Sequence, residues 1–293
     1  MKQYLKKIYE LLPFKPFVFG VIKSCISLSP AIYQHLHFKG VFKVKIDKEH
    51  SFLIYHHGGI EENEIFWKGL EGGWEKRSTA IWTQLVHKKK TILDIGANTG
   101  LYAIIAKTIN PSAAVHAFEP IPAVFQLLNK NKNINHFDIH NHEVALSDFN
   151  GTATIYLPDQ TDFAYSVTVN QNRLPENTKV KELTIKTKTL SQFIEENKIQ
   201  SIDLMKIDVE THEPEVLIGM GKYLNEFRPT MLIEVLDEHI AQKLDVILKD
   251  MNYLYFNIDD KNNSIRQIQK VEKSDYWNLL ICNESTAKEL KLI

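Results

Sequence analysis

Four acidic side chains stand where strands are predicted to end: Asp94, Glu119, Asp208 and Glu234. One acid in such a place commonly caps a helix or faces solvent. Four at the same edge of one sheet are harder to dismiss, because ligands of open parallel sheets bind beyond the carboxyl ends of the strands. The first acid belongs to Leu93-Asp94-Ile95-Gly96-Ala97-Asn98-Thr99-Gly100, where Gly96 and Gly100 allow a sharp turn and a close approach to a ligand. Glu119, twenty-five positions later, is placed to accept two hydrogen bonds from ribose hydroxyls. A nicotinamide dinucleotide would want G-x-G-x-x-G, with its pyrophosphate at the helix N-terminus. Here the middle glycine is missing, and Asp94 would repel a pyrophosphate but attract the ammonium of an amino-acid ligand. That sign favours S-adenosylmethionine over NAD.

A second constellation is Lys206, Asp208, Glu210 and Glu213. Lys206 and Asp208 alternate onto one strand face, Glu210 follows as the chain leaves the sheet, and Pro214 suits the start of the next helix. These residues read structurally as an ion pair with helix-start carboxylates, and functionally as groups beside a reactive centre. His212 titrates near neutrality when unperturbed, but its slot reads as an exposed loop position. Upstream, Trp67 and the Trp74-Glu75 pair read as core-sealing aromatics, with lining of the cofactor or acceptor cleft as the alternative.

These residues need a scaffold, and the patterning supplies one. From Thr91 the chain repeats strand, turn, helix. Strands are predicted at 91–95, 115–118, 139–146, 202–207, 229–235, 253–258 and 277–282, with helices at 101–108, 122–131, 190–197, 214–224 and 239–251. An extra β pair, 152–157 and 180–187, flanks a polar loop. Alternation of this kind implies a parallel sheet covered on both faces. Before it, residues 1 to about 37 read as helical, with Tyr4, Ile8, Leu11 and Leu12 on one face. Runs 41–46 and 51–55 read as a hairpin around Asp47-Lys48-Glu49-His50, and a helix is predicted from Trp74 to Val86.

Composition narrows the classes. The 293 residues are 44% hydrophobic and 24% charged, a globular balance. Thirty-five Lys plus Arg against 36 Asp plus Glu argue against a nucleic-acid partner. The apolar run Phe17–Ile22 is too short for a membrane span of about 20 residues, and no small-residue cleavage site follows, so a cytoplasmic protein is expected. Lys2, Lys6, Lys7, Lys15 and Lys23 against Glu10 make the N-terminal end basic, suited either to a solvated helix or to peripheral contact with an anionic membrane. Cys25 and Cys282 stand far apart, without a C-x-x-C pair. His35/His37, His56-His57 and His140/His142 are the closest histidine sets, and no acidic motif completes a metal site, so none is expected.

The runs LDIGANTGLYAIIAK (93–107), AFEP (117–120), NKNKNIN (129–135), VALSD (144–148), TKTLSQFI (187–194), IDLMKIDVETHEPEVLIGM (202–220) and RPTMLIEV (228–235) resemble the FkbM-type methyltransferase family, in the same order. The resemblance covers residues 74–282. It implies a class I, Rossmann-like α/β fold: a seven-stranded, mostly parallel sheet with an antiparallel last strand and helices on both faces. A small N-terminal α+β extension over 1–73 would precede a methyltransferase domain at 74–293. S-adenosylmethionine is the implied donor, held by Asp94, Gly96, Asn98, Gly100, Glu119, Pro120, Ala145 and Asp208, with Asp208, Glu210 and Lys206 as catalytic residues. A hydroxyl on a sugar, glycan or secondary metabolite is the implied acceptor. The family usually has glycine after the acid in D-V-E-G-x-E, where this chain has Thr211. Two other readings are an NAD-dependent oxidoreductase and a non-catalytic binding module on the same fold.

Overall fold

The chain divides into two units, residues 1–74 and 75–293. The computed structural model describes residues 14–158 and 180–293. The face predicted from Tyr4 to Leu12 and most of the polar loop after residue 158 lie outside them.

In the first unit, α1 (Lys15–Cys25) and the single turn α2 (Pro30–Tyr33) precede an antiparallel hairpin of β1 (Gly40–Lys45) and β2 (Ser51–His56), followed by α3 (Ile60–Lys68). Among the described residues the expected continuous helix to residue 37 is two short pieces, with Pro30 starting the second. Phe19, Tyr33, Phe38, Phe66 and Trp67 form the core, so Trp67 seals this unit.

The second unit starts with α4 (Lys76–Leu85). The chain then runs through β3 (Thr91–Ile95), α5 (Leu101–Ile109), β4 (Ala114–Phe118), α6 (Pro122–Ile134), β5 (Ile139–His142), β6 (Ala145–Ser147), β7 (Gly151–Pro158) and β8 (Val180–Thr189). It continues with α7 (Leu190–Glu196), β9 (Leu204–Ile207), α8 (Glu213–Met220), α9 (Lys222–Phe227), β10 (Thr230–Glu234) and α10 (Glu238–Leu248). Last come β11 (Leu254–Asp259), β12 (Ser264–Ile268), β13 (Asn278–Cys282) and α11 (Glu284–Glu289). The main sheet has the order β12-β11-β13-β10-β9-β3-β4-β5. Neighbours from β10 to β5 run parallel, while β13 is antiparallel to both β10 and β11.

The α/β sheet with an antiparallel last strand is as expected, but among the described residues it has eight strands instead of seven. The addition is β12, an edge strand carrying Arg266, whose polar, largely exposed residues hide it from hydrophobic patterning. Residues β9, β10 and β13 are buried throughout, as expected of strands covered on both faces. On one face Leu93, Met205, Met231 and Ile281 are in register and pack with α7, α8 and α10.

Two further expectations are corrected. The predicted strand 139–146 is two strands in different sheets: β5 closes the main sheet, while β6 pairs with β8 beside β7. The predicted helix 214–224 breaks at Gly221, whose φ of 57° no α-helix accommodates.

Candidate active site

The β3–α5 loop is shaped by two glycines at positive φ, Gly96 at 76° and Gly100 at 91°. A Cβ at Gly96 would lie 1.7 Å from the Asp208 carbonyl oxygen, and one at Gly100 would lie 2.5 Å from Leu128 Cδ1. The loop therefore lies tight between the ends of β9 and α6. The amides of Gly96 and Ala97 both donate to the Phe118 carbonyl, at 3.0 and 2.9 Å, and the Asp208 amide donates to Ile95 at 2.9 Å. Three strand ends are thus tied by backbone alone.

Asp94 is buried and accepts from the Ala103 amide of α5 at 2.8 Å. Burial, partly offset by that bond and by Lys206, pushes its carboxyl up to about 7. Glu119 accepts from the Asn98 amide through Oε2 at 3.1 Å and from the Ile121 amide through Oε1 at 2.9 Å. It is buried as well, and its carboxyl is pushed up to about 7 despite those two bonds. Asn98 adopts a φ of 49°, so its amide turns toward Glu119. Pro120 is half-buried at the end of β4. Ala145 packs in the small cluster of Ile121, Val124, Ile155, Leu157 and Ile185.

Lys206 pairs with Asp94 in the β3–β9 register, on the same sheet face. Its ammonium is buried, contacts Asp208 Oδ2 at 2.9 Å and Asn278 Oδ1 at 3.2 Å, and lies over the Tyr102 ring. Burial alone would lower its pKa, but Asp208, Glu75 and Glu234 outweigh it and raise it. The expected Lys206–Asp208 pairing is present.

Of the rest of this network, sequence reasoning singled out Glu75 alone, and its partners escaped it. Asn278 donates to Glu75 Oε1 at 2.8 Å and to Ser78 Oγ at 3.2 Å, and the Tyr102 hydroxyl donates to Glu75 Oε2. Asp260 accepts from the amides of Arg77 and Ser78 at 2.6 and 2.9 Å, capping α4 from far along the chain. That helix accordingly starts at Lys76, with Glu75 at a φ of 45°, two residues later than expected. Trp74 belongs to the first unit and Glu75 opens the second. The available signal was weak: Asn278 heads an otherwise apolar strand, where a polar side chain needs a buried partner.

Between β9 and α8 the backbone takes two successive left-handed conformations, Glu210 at 54° and Thr211 at 79°. A β-branched residue there is a conformational outlier. Glu213 holds the turn: its Oε1 accepts from the amides of Val209 and Thr211, each at 3.1 Å. Its Oε2 is buried and finds no hydrogen bond among the described residues, and burial pushes the carboxyl up to about 8. Glu234, on β10, also has a buried Oε2 of this kind, and its pKa is raised by burial and by Asp208. His212 is a correction. It is half-buried, its Nε2 lies 2.9 Å from Ser147 Oγ, and its Nδ1 lies 3.7 Å from Glu215. Burial lowers its pKa, so it joins β6 to α8 instead of standing in an exposed loop.

The strand-end edge thus collects Asp94, Asp208 and Glu234 around one buried ammonium, Lys206, with Glu210 and Glu213 facing Glu234. The histidine sets do not join it. His116, His140 and His142 stack on the outer strands β4 and β5. Among the described residues no group of three or more His, Cys, Asp or Glu side chains is arranged to hold a metal.

The Methyltransferase FkbM domain matches residues 94–255, more than half of the chain. This chain belongs to the FkbM methyltransferase family. Its relatives include "Methyltransferase 1" of Beauveria bassiana, 26% identical over 160 residues and covering 50% of this chain and 64% of that one. The 31-O-demethyl-FK506 methyltransferase FkbM of Streptomyces tacrolimicus is 28% identical over 152 residues, 44% of this chain and 58% of the relative. The hexuronic acid methyltransferase AglP of Haloferax volcanii is 25% identical over 166 residues, 56% and 64% of the two chains. This chain therefore spans less than two thirds of the length of each of these FkbM-type relatives.

Proposed function

We propose that the chain is an S-adenosylmethionine-dependent O-methyltransferase acting on a hydroxyl of a sugar, glycan or secondary metabolite. The observation that carries this reading is the excess of carboxyl groups over a single buried cation at the edge where Gly96 is folded against Asp208. Such an edge attracts a donor bearing a sulfonium and an ammonium. It disfavours a dinucleotide, since Asp94 already takes the Ala103 amide at the start of α5, a donor that a pyrophosphate would need. Two relatives support the acceptor class, one named for a 31-O-demethyl compound and one for a hexuronic acid.

In this reading the donor supplies a methyl group on a positively charged sulfur. Asp94 faces the donor's ammonium, and Glu119 accepts from its ribose hydroxyls with the lone pairs that Asn98 and Ile121 leave open. Gly96, Gly100, Asn98, Pro120 and Ala145 shape the surrounding wall. Asp208 takes the acceptor's hydroxyl proton as general base, Lys206 orients it through the 2.9 Å contact, and Glu210 aligns the hydroxyl from the left-handed turn. Glu75, Tyr102 and Asn278 hold Lys206 in place. Alignment in a water-poor cleft is the main requirement of such an in-line transfer.

Titration calorimetry and thermal shift of the purified chain test this. S-adenosylmethionine or S-adenosylhomocysteine should bind and raise the melting midpoint, and NAD should do neither. Stabilisation by NAD alone overturns the reading. Incubation with donor and a host extract, followed by mass spectrometry, should reveal a product heavier by one CH₂.

A further inference from the structure

Helix α1 is apolar on two sides. Phe19 and Ile22 pack into the core of the first unit. Phe14, Phe17, Val18 and Val21, at spacings of three and four, form a second stripe that faces outward. Phe14 is 79% exposed, Phe17 73% and Val21 48%. Among the described residues this stripe is an unpartnered apolar face. Strand β1, which packs on α1, presents Val41 outward with the exposed Lys43 and Lys45. At the start of α1 a concavity of about 440 Å³ is lined by Phe14, Phe38, Lys15, His37 and Lys39.

The charge around this face has one sign. Residues 14–45 hold Lys15, Lys23, Lys39, Lys43 and Lys45 and not one Asp or Glu. Lys23 turns inward to the Phe66 carbonyl; Lys15 and Lys39 line the concavity beside Phe14, and Lys43 and Lys45 are exposed on β1. We propose that this face docks on a bilayer surface rich in anionic phospholipid, with Phe14, Phe17, Val18 and Val21 entering the interface and Lys15 and Lys39 meeting lipid phosphates. Aromatic and aliphatic side chains beside lysines are the pattern of helices that lie in the plane of a membrane, and long lysine stems reach the headgroups from such a position. A second copy of the chain fits less well, since a two-fold contact would set lysines against lysines. The preceding thirteen residues add Lys2, Lys6 and Lys7 against Glu10.

The test is co-sedimentation of the full chain with vesicles of phosphatidylcholine alone and with about 30% phosphatidylglycerol added. Binding is expected only to the anionic vesicles, and should weaken severalfold from about 0.1 to 0.5 M salt as screening lengths shrink. Phe17→Ser with Val21→Ser should weaken it at least tenfold, roughly the burial of two apolar side chains. Lys15→Gln with Lys39→Gln should weaken it about 30-fold. All four positions lie outside the catalytic machinery, so melting midpoint and donor affinity should stay unchanged. Failure to bind anionic vesicles, parent-like binding by either double variant, or a dimer that the Phe17/Val21 variant converts to monomer would each overturn the proposal.

Discussion

Thr211 stands at a φ of 79°, next to Glu210 at 54°, and the left-handed region costs a non-glycine residue about 1–2 kcal/mol. The turn therefore carries roughly 2–4 kcal/mol of local strain. What opposes it is Glu213, through two hydrogen bonds of 3.1 Å to backbone amides. At about 0.5–1.5 kcal/mol net each, they offset about 1–3 kcal/mol. Glu213→Ala removes the clamp and should lower unfolding free energy by about 1–3 kcal/mol, a midpoint shift of roughly 2–12 °C for a unit of this size. Turnover should fall further than donor affinity, because Glu210 loses its bearing. Glu213→Gln keeps an acceptor oxygen for both amides and should retain most turnover. Thr211→Gly removes the strain at its source, so in that background Glu213→Ala should lose about 1 kcal/mol less than in the parent. Urea unfolding and single-turnover rates on the four chains of the cycle measure this. Additivity within about 0.5 kcal/mol, or a Gln variant as impaired as the Ala variant, refutes the clamp. The pH dependence gives a separate check. A carboxyl raised to about 8 in the folded chain binds protons there that the unfolded chain has released, so its contribution to stability is lost as pH rises from the ordinary glutamate range through about 8. Glu213→Gln lacks that loss and should gain on the parent with rising pH across this window.

Gly96→Ala places a methyl 1.7 Å from the Asp208 carbonyl, so calorimetry should find donor binding lost and the melting midpoint lowered. Glu119→Gln must aim an amide NH₂ at one of two backbone donors, Asn98 or Ile121, leaving a buried group unsatisfied. An affinity loss of about 5- to 150-fold, about 1–3 kcal/mol, is expected, and an unchanged dissociation constant would remove Glu119 from the donor site. Burial pushes the carboxyls of Asp94 and Glu119 up to about 7, and a cationic donor selects the ionised form of Asp94. Affinity by calorimetry should therefore rise about tenfold or more from pH 6 to pH 8, and a flat profile would separate the donor from both groups. Asp208→Asn and Glu210→Gln should keep donor affinity within severalfold yet lower turnover about 10²–10⁴-fold; parent-like single-turnover rates in both would make the constellation structural.

The sequence by itself determined the features governed by short-range rules. Strand β3 falls at Thr91–Ile95 as periodicity predicts, the turn around Gly96 and Gly100 follows from the backbone freedom of glycine, and Pro122 starts α6 as proline does. The family resemblance rests on the same local runs. Tertiary structure alone decided how distant polar groups find one another. Nothing near residue 75 announces that Asp260 caps α4, that Asn278 and Tyr102 bond Glu75, or that this network carries Lys206 to Asp208. Burial makes each of those bonds obligatory, but burial is a property of the packed sheet. Likewise β12 exists because β11 offers it an open edge, and not because Ser264–Ile268 is strongly strand-forming. Thr211 reads as a loss of glycine's freedom. It takes the left-handed conformation all the same, because a carboxyl two residues on is buried where it grips the turn.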